Sequence, residues 1–217
     1  MAGRIRRSGR AMTRSGVRSP AAGRGAGDSL RVASAAVLAL VAWNCLAAPA
    51  APIEVEAHRE GDAVLVEASA RVHADPQLAW EVLTAYERYA EFVPDLKSSR
   101  ILARAGSTTI VEQKGEARFF VFHFPLEVVM AVTEHPPSAV NARAISGTFR
   151  EMTGVYQLTE DGDSLRLTYS GRLVPAFRLL PVIGVAALRA AVERQFTALV
   201  HEIGRRAAVD GSRAGSR

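Results

Sequence analysis

The chain has 217 residues, room for one domain with extensions, and its 48% apolar content is ordinary for a globular protein. Its net charge of +5 is unevenly placed: residues 1–50 hold eight arginines and one aspartate, net +7, which leaves 19 basic and 21 acidic residues, net −2, to the rest. The basicity belongs to the leader, so the part expected to fold lacks the electrostatic footprint of a nucleic-acid binder.

The leader, residues 1–50, runs from Arg4 through Arg31 into the apolar stretch Val32–Trp43 and leaves through the small residues Ala47 to Pro52. A positive region, a short apolar run and an alanine-rich exit form the pattern of a secretory signal, with cleavage expected after Ala48 or Ala50. The apolar run is short against the roughly 20 residues of a bilayer span. An uncleaved leader is the alternative and would add membrane-surface contact. An exported, periplasmic or cell-envelope protein is therefore expected. Cys45, the single cysteine, lies in this leader. A mature domain would then have no disulfide, thiolate nucleophile or cysteine-based metal site.

Residues 51–62 read as a polar linker, and the domain is expected over 63–207. Val64, Val66, Ala68, Ala70 and Val72 alternate with Leu65, Glu67, Ser69 and Arg71, the pattern of a half-buried strand. Asp75-Pro76 then supplies a helix cap and a first-turn proline, and Ala79, Val82, Leu83 and Tyr86 follow at helical spacing. Beyond Pro94 the period becomes two. Strands are expected over 98–105 and 108–114, around a turn at Gly106. A long alternating run follows from Phe119 to Val132, with a bulge or break at Pro125 because proline cannot donate to a ladder. Strands over 139–146, 152–160 and 165–174 complete a meander whose last link, Asp161-Gly162, is a hairpin signal.

The last long helix is expected over Pro181–Arg206. Val185, Leu188, Val192, Phe196, Leu199 and Ile203 are spaced three, four, four, three and four, one stripe of an α-helix. Residues 208–217 read as a disordered tail. Strand, helix, about six antiparallel strands and a long helix make an α+β domain.

Three segments of this order resemble a known family. Tyr86-Glu87-Arg88-Tyr89-Ala90-Glu91-Phe92-Val93-Pro94 is similar to the Y-x-x-Y-P-x-F-[LV]-P segment of the polyketide cyclase/dehydrase and coenzyme Q-binding group (SRPBCC) of the START-like superfamily, with Ala90 where proline is usual. Gly147 to Tyr156, GTFREMTGVY, resembles that group's G-x-F-x-x-x-x-G-x-W, with Tyr156 where tryptophan is usual. The closing helix with Phe196 resembles its apolar C-terminal helix. The resemblance covers about residues 63–207. It implies a helix-grip fold, a curved sheet around the long helix, with an apolar cavity for a lipid, quinone or polyketide-like ligand. It does not fix an activity, because the group includes carriers, ring-closing enzymes and ribosome-associated toxins.

The residues themselves argue for incomplete filling. Ala186, Ala187, Ala190 and Ala191 lie on or near the packing side of the helix, opposite strand faces rich in bulky groups. Phe122, Phe124, Leu126, Val128, Met130, Tyr156 and Tyr169 are then wall residues, with Val192 and Phe196 from the helix stripe. The alternative is a dry core. No catalytic residue, metal site or cofactor is expected: the five histidines lack ligand spacing, and neither a nucleophile elbow nor a phosphate loop occurs. Glu151 with Arg172 is an acid/base pair on an enzyme reading and a pair of solvated charges otherwise. His123 and Glu127 lie about 13 Å apart along a strand at about 3.3 Å per residue, too far to share a metal. The expected function is binding of a hydrophobic small molecule or lipid by an exported carrier or sequestering protein. The alternatives are a polyketide cyclase/dehydratase-like enzyme and an interaction module with a filled core. Oligomeric state stays open.

Overall fold

The structure, a computed structural model, describes the backbone of residues 52–119, 122–176 and 181–214, and their side chains except at 117–119, 122–124, 181–183 and 214. The leader lies outside the described residues.

Eight strands form one sheet: β1 (Glu54–Glu60), β2 (Ala63–Val72), β3 (Leu96–Ala105), β4 (Thr108–Phe119), β5 (Phe122–His135), β6 (Ala139–Gly147), β7 (Phe149–Asp161) and β8 (Ser164–Pro175). Their spatial order is β1-β2-β8-β7-β6-β5-β4-β3, and every neighbouring pair is antiparallel. After β2 the chain passes through α1 (Pro76–Leu83), a 3-10 turn at Tyr86–Arg88 and α2 (Tyr89–Phe92), and so reaches the far edge of the sheet at β3. From there it meanders back until β8 pairs with β2. α3 (Pro181–Ala214) packs on β2, β1 and α1 and reaches β4.

Local chemistry accounts for the boundaries. The Asp75 carboxylate accepts from the Gln77 and Leu78 amides at 2.8 and 3.3 Å, capping α1, while Pro76 occupies a first-turn position with no amide to satisfy. Ala79, Trp80, Val82 and Leu83 are buried beneath it. Asp161 and Ser164 face each other across a hairpin whose two turn residues are Gly162 and Asp163, one position on from the expected Asp161-Gly162.

Four expectations need correction. The polar segment read as a linker over 51–62 contains β1, paired with β2 along its whole length. It is an edge strand with only Val55 buried and Ala57 half-buried, and its other side chains are largely charged, so its alternation is faint. The run from Phe119 to Val132 is not one strand, because β4 and β5 close on the pair Phe119↔Phe122 and residues 120–121 lie outside the described residues. Pro125 makes no bulge there. It pairs with Glu116 on one side, and β6 meets β5 only from Val128 onward, so the missing amide interrupts no ladder. The irregularity of β5 lies instead at Val129/Met130 against β6. Finally, α3 continues through Ala214 into the segment expected as a disordered tail. No proline interrupts Ala207 to Ala214, and the exposed last turns carry an Asp210–Arg213 pair at 3.9 Å.

The expected stripe of α3 is divided along its length. Phe196, Leu199 and Ile203 are fully buried and Val200 nearly so, whereas Val185 and Val192, on either side of the buried Leu188, are only half-buried. Glu202, 7% exposed, is held on this packed half by Arg205 and Arg206, each at 2.7 Å. The hydrogen bonds from Arg205 and Arg206 lower its pKa from the usual 4.5 to about 2, against the upward push of burial. A carboxyl held below its unfolded value stabilises the fold above about pH 4.5 and loses that contribution as pH falls toward 2. Glu202→Gln is expected to cost about 1–2 kcal/mol at pH 7, the full shift being discounted for the exposure of Arg205. Thermal melts between pH 7 and pH 2 check this: the gap between parent and variant should close at the acid end.

Candidate functional site

A cavity of about 170 Å³ lies between the sheet and the stretch Leu188–Gln195 of α3. The pleat explains its wall. Side chains two apart point to one face, and the lining takes Val111, Gln113 and Gly115 from β4 and Leu126, Val128, Met130 and Val132 from β5. Val140 and Ala142 follow from β6, and Met152, Gly154 and Tyr156 from β7, in the same alternation. Tyr169 and Leu173 of β8 close the side toward β2. The helix contributes Leu188, Ala191, Val192 and Gln195, which share a face at spacings of three and four. That face meets the cavity, and its continuation at Phe196, Leu199 and Ile203 is tightly packed.

Of the expected wall residues, Leu126, Val128, Met130, Tyr156, Tyr169 and Val192 line this space. Phe196 does not: it is fully buried in the packed core, one turn beyond Val192. The side chains of Phe122 and Phe124 lie outside the described residues. Ala191 reaches the lining, and Ala186, Ala187 and Ala190 do not. Glu151 and Arg172 do meet, at 3.3 Å, but on the opposite face of the sheet, where Arg172 also reaches Glu60 at 3.3 Å. Their immediate neighbours Met152 and Leu173 face the cavity, so the pleat turns the ion pair away from it. Glu127 likewise points outward, beside Lys114 at 3.7 Å.

Sequence reasoning did not single out the polar lining. Tyr86, Tyr89, Asp95, Gln113, Glu116, Arg194 and Gln195 all border the cavity. Two of the four tyrosines are committed to the fold: Tyr89 donates to the Leu83 carbonyl at 2.6 Å and Tyr86 to the Glu134 carboxylate at 3.1 Å. The other two face each other across β7 and β8, with ring centroids 4.7 Å apart. The Tyr156 hydroxyl accepts from Gln195 Nε2 at 3.5 Å, and the Tyr169 hydroxyl has no hydrogen-bond partner among the described residues. Burial pushes the Tyr169 phenol up to about 12 and the Tyr156 phenol well above its usual value, so both remain protonated at neutral pH.

At the rim, Arg194 donates to Asp95 at 2.5 Å, joining the helix to the link between α2 and β3. Glu116 holds Lys97 beside them. Gly115 permits this closure, since a side chain there would come within 2.2 Å of the Asp95 carbonyl oxygen, the same oxygen that accepts from the Glu116 amide at 2.9 Å. Among the described residues no group of three or more histidines, cysteines, aspartates or glutamates is placed to hold a metal. The chemistry on offer is apolar containment with a few hydrogen-bonding groups, neutral and charged, among the lining.

The family described as polyketide cyclase / dehydrase and lipid transport matches residues 72–200, more than half of the chain. The chain belongs to that family. Its fold is the START-like helix-grip fold, as solved structures show. A START superfamily protein from Mycobacterium smegmatis superposes with a TM-score of 0.56 at 17% identity, over 65% of this chain and 97% of that one. A STAR-related lipid transfer protein from Xanthomonas axonopodis gives 0.56 at 14% identity, over 70% and 93%. An aromatase/cyclase from a Streptomyces species gives 0.55 at 18% identity, over 72% and 94%. A search of curated proteins found no match. At these identities the structural likeness establishes the fold, while the family spans ligand transport and ring-closing chemistry.

The two kinds of glycine contact at the site have different consequences. At Gly115 the obstacle to a side chain is backbone, whereas at Gly171 it is the end of the Tyr169 side chain, 2.3 Å away, which can swing into the cavity. Gly115→Ala is expected to destabilise by about 2 kcal/mol, in the range of overpacking changes, and Gly171→Ala by less than half as much. Chemical denaturation of the two variants tests the order.

Proposed function

We propose that the protein binds a hydrophobic small molecule or lipid in the cavity beneath α3 and acts as a carrier or sequestering protein. The observation that carries this reading is the cavity itself, walled by apolar side chains from six strands and the helix instead of being filled by them. An apolar void of about 150 Å³ suffices to take up a benzene ring, so the space suits one ring or a short acyl tail. Binding would draw on apolar area at about 25 cal/mol per Å² covered, with the polar groups of the lining fixing orientation. The lipid-transport part of the family description and the lipid transfer protein of the same fold support this reading.

A second reading, a polyketide cyclase-like enzyme, is favoured by one specific feature. The Tyr156 and Tyr169 hydroxyls face the same space as the Asp95–Arg194 pair, so a folded poly-carbonyl chain would meet donors there. Incubation with a synthetic poly-β-carbonyl thioester separates the two: a carrier returns it unchanged, a cyclase returns a ring-closed product.

Filling the cavity from the helix tests the binding reading. Ala191→Phe is expected to weaken uptake of a fluorescent apolar probe by at least tenfold, with the melting temperature held within a few degrees. Unchanged probe affinity in a folded variant would refute it.

We further propose that this binding takes place outside the cytoplasm, the reading that the leader's composition supports. Intact-mass measurement of protein recovered from the cell envelope is expected to show a new amino terminus at Pro49 or Ala51. A full-length mass would favour the anchored form.

A further inference from the structure

We infer that the part of the cavity lined by β7 and β8 selects an uncharged ligand bearing a carbonyl or ether oxygen, held by the Tyr156 and Tyr169 hydroxyls, and rejects carboxylates. This rests on the binding reading above and names the ligand class for the same cavity.

Three observations converge on it. First, the Tyr169 ring lies over the facing pair Gly154↔Gly171, where side chains would come within 3.0 and 2.3 Å of its hydroxyl oxygen. The sheet is thus shaped to hold this phenol flat beside Tyr156, yet its hydroxyl bonds to nothing among the described residues. It is also not sealed away, so a ligand in the cavity can reach it. Second, the Tyr156 oxygen accepts from Gln195, which leaves its own proton uncommitted. Two phenol protons therefore face one space, and an oxygen lone-pair acceptor is the group that satisfies them. A bare hydrocarbon would cover them without replacing their hydrogen bonds, at a cost.

Third, the charged groups of the lining offer an anion no uncommitted partner. Among the described residues the charged groups bordering the cavity are Asp95, Glu116 and Arg194; Arg194 is bound to Asp95, and Glu116 holds Lys97. A carboxylate entering this space would lose its hydration and would have to compete with Asp95 and Glu116 for cations they already hold. A ketone, quinone or ester loses far less and gains two donors.

Three matched probes decide the matter on the full chain: tetralin, 1-tetralone and tetralin-2-carboxylate, titrated at pH 7 by calorimetry. The expected order is tetralone about tenfold tighter than tetralin, and the carboxylate weaker than both. In Tyr169→Phe and Tyr156→Phe, whose folding is checked by thermal melts, the advantage of tetralone should shrink to about threefold or less while tetralin affinity stays as it was. Equal binding of tetralin and tetralone, or tightest binding of the carboxylate, overturns the inference and leaves the apolar carrier reading standing. An advantage unmoved in both variants also overturns it. Failure of all three probes to bind overturns the inference together with the carrier reading on which it rests.

Discussion

The rest of the molecule depends on the division of labour along one helix. α3 is gripped over its middle turns, where Phe196, Leu199 and Ile203 have no solvent exposure and Glu202 is tied to Arg205 and Arg206. Burial on that scale, about 1.5–3 kcal/mol per large apolar side chain, fixes the axis of the helix against β2 and α1. Once the axis is fixed, the first half cannot settle onto the strands independently. Leu188, Ala191, Val192 and Gln195 then stand over the sheet with space beneath them. A helix with large residues along its whole stripe would fill that space. Here alanine at 191 and valine at 192 sit where the packed half carries phenylalanine and leucine.

The sheet supplies the complementary half of the constraint. Alternation puts Leu126, Val128, Met130 and Val132 on one face of β5, and the same pleat turns Glu127 to the other. Charges that look suggestive in the sequence, Glu151 and Arg172 above all, are sent outward by the residues that flank them. What faces inward is mostly hydrocarbon, interrupted by amides and phenols that keep no charge at neutral pH. The Asp95–Arg194 ion pair at the cavity stands where helix and α2–β3 link meet, and its partners come from elements far apart in the chain.

This explains which features could be read in advance. Helix existence, the antiparallel meander, the Asp75 cap and the inward face of β5 each follow from a local period or a local cap, and local signals survive in a single sequence. β1 is hidden because only Val55 and Ala57 interrupt its charges, and an edge strand needs no more than that. The boundary between β4 and β5 is hidden because the sequence around the pair Phe119↔Phe122 carries none of the glycine, asparagine or aspartate that usually announces a hairpin. The helix outlasts its apolar stripe because the backbone ladder continues wherever nothing breaks it. Among the wall residues, Phe196 shares the stripe with Val192, and its burial in the packed core is a tertiary fact that the shared stripe does not reveal. Gln113 and Gln195 carry no sign of facing inward, since polar side chains look alike on either face until the tertiary arrangement is known.

A small cavity also sets what kind of discrimination is physically available. Apolar contact rewards any hydrocarbon of the right size by roughly 0.8 kcal/mol per methylene and scarcely separates one from another. A buried donor behaves differently, because leaving it unpaired costs about 1–3 kcal/mol and that cost falls only on ligands lacking an acceptor. With room for little more than a ring or a short chain, area alone gives modest affinity and almost no selectivity. Selectivity must therefore come from the polar groups of the lining. The pairing of Tyr156 with Tyr169 over two glycines is the feature there that packing alone does not require, since an alanine and a leucine would cover the same strands at no polar cost.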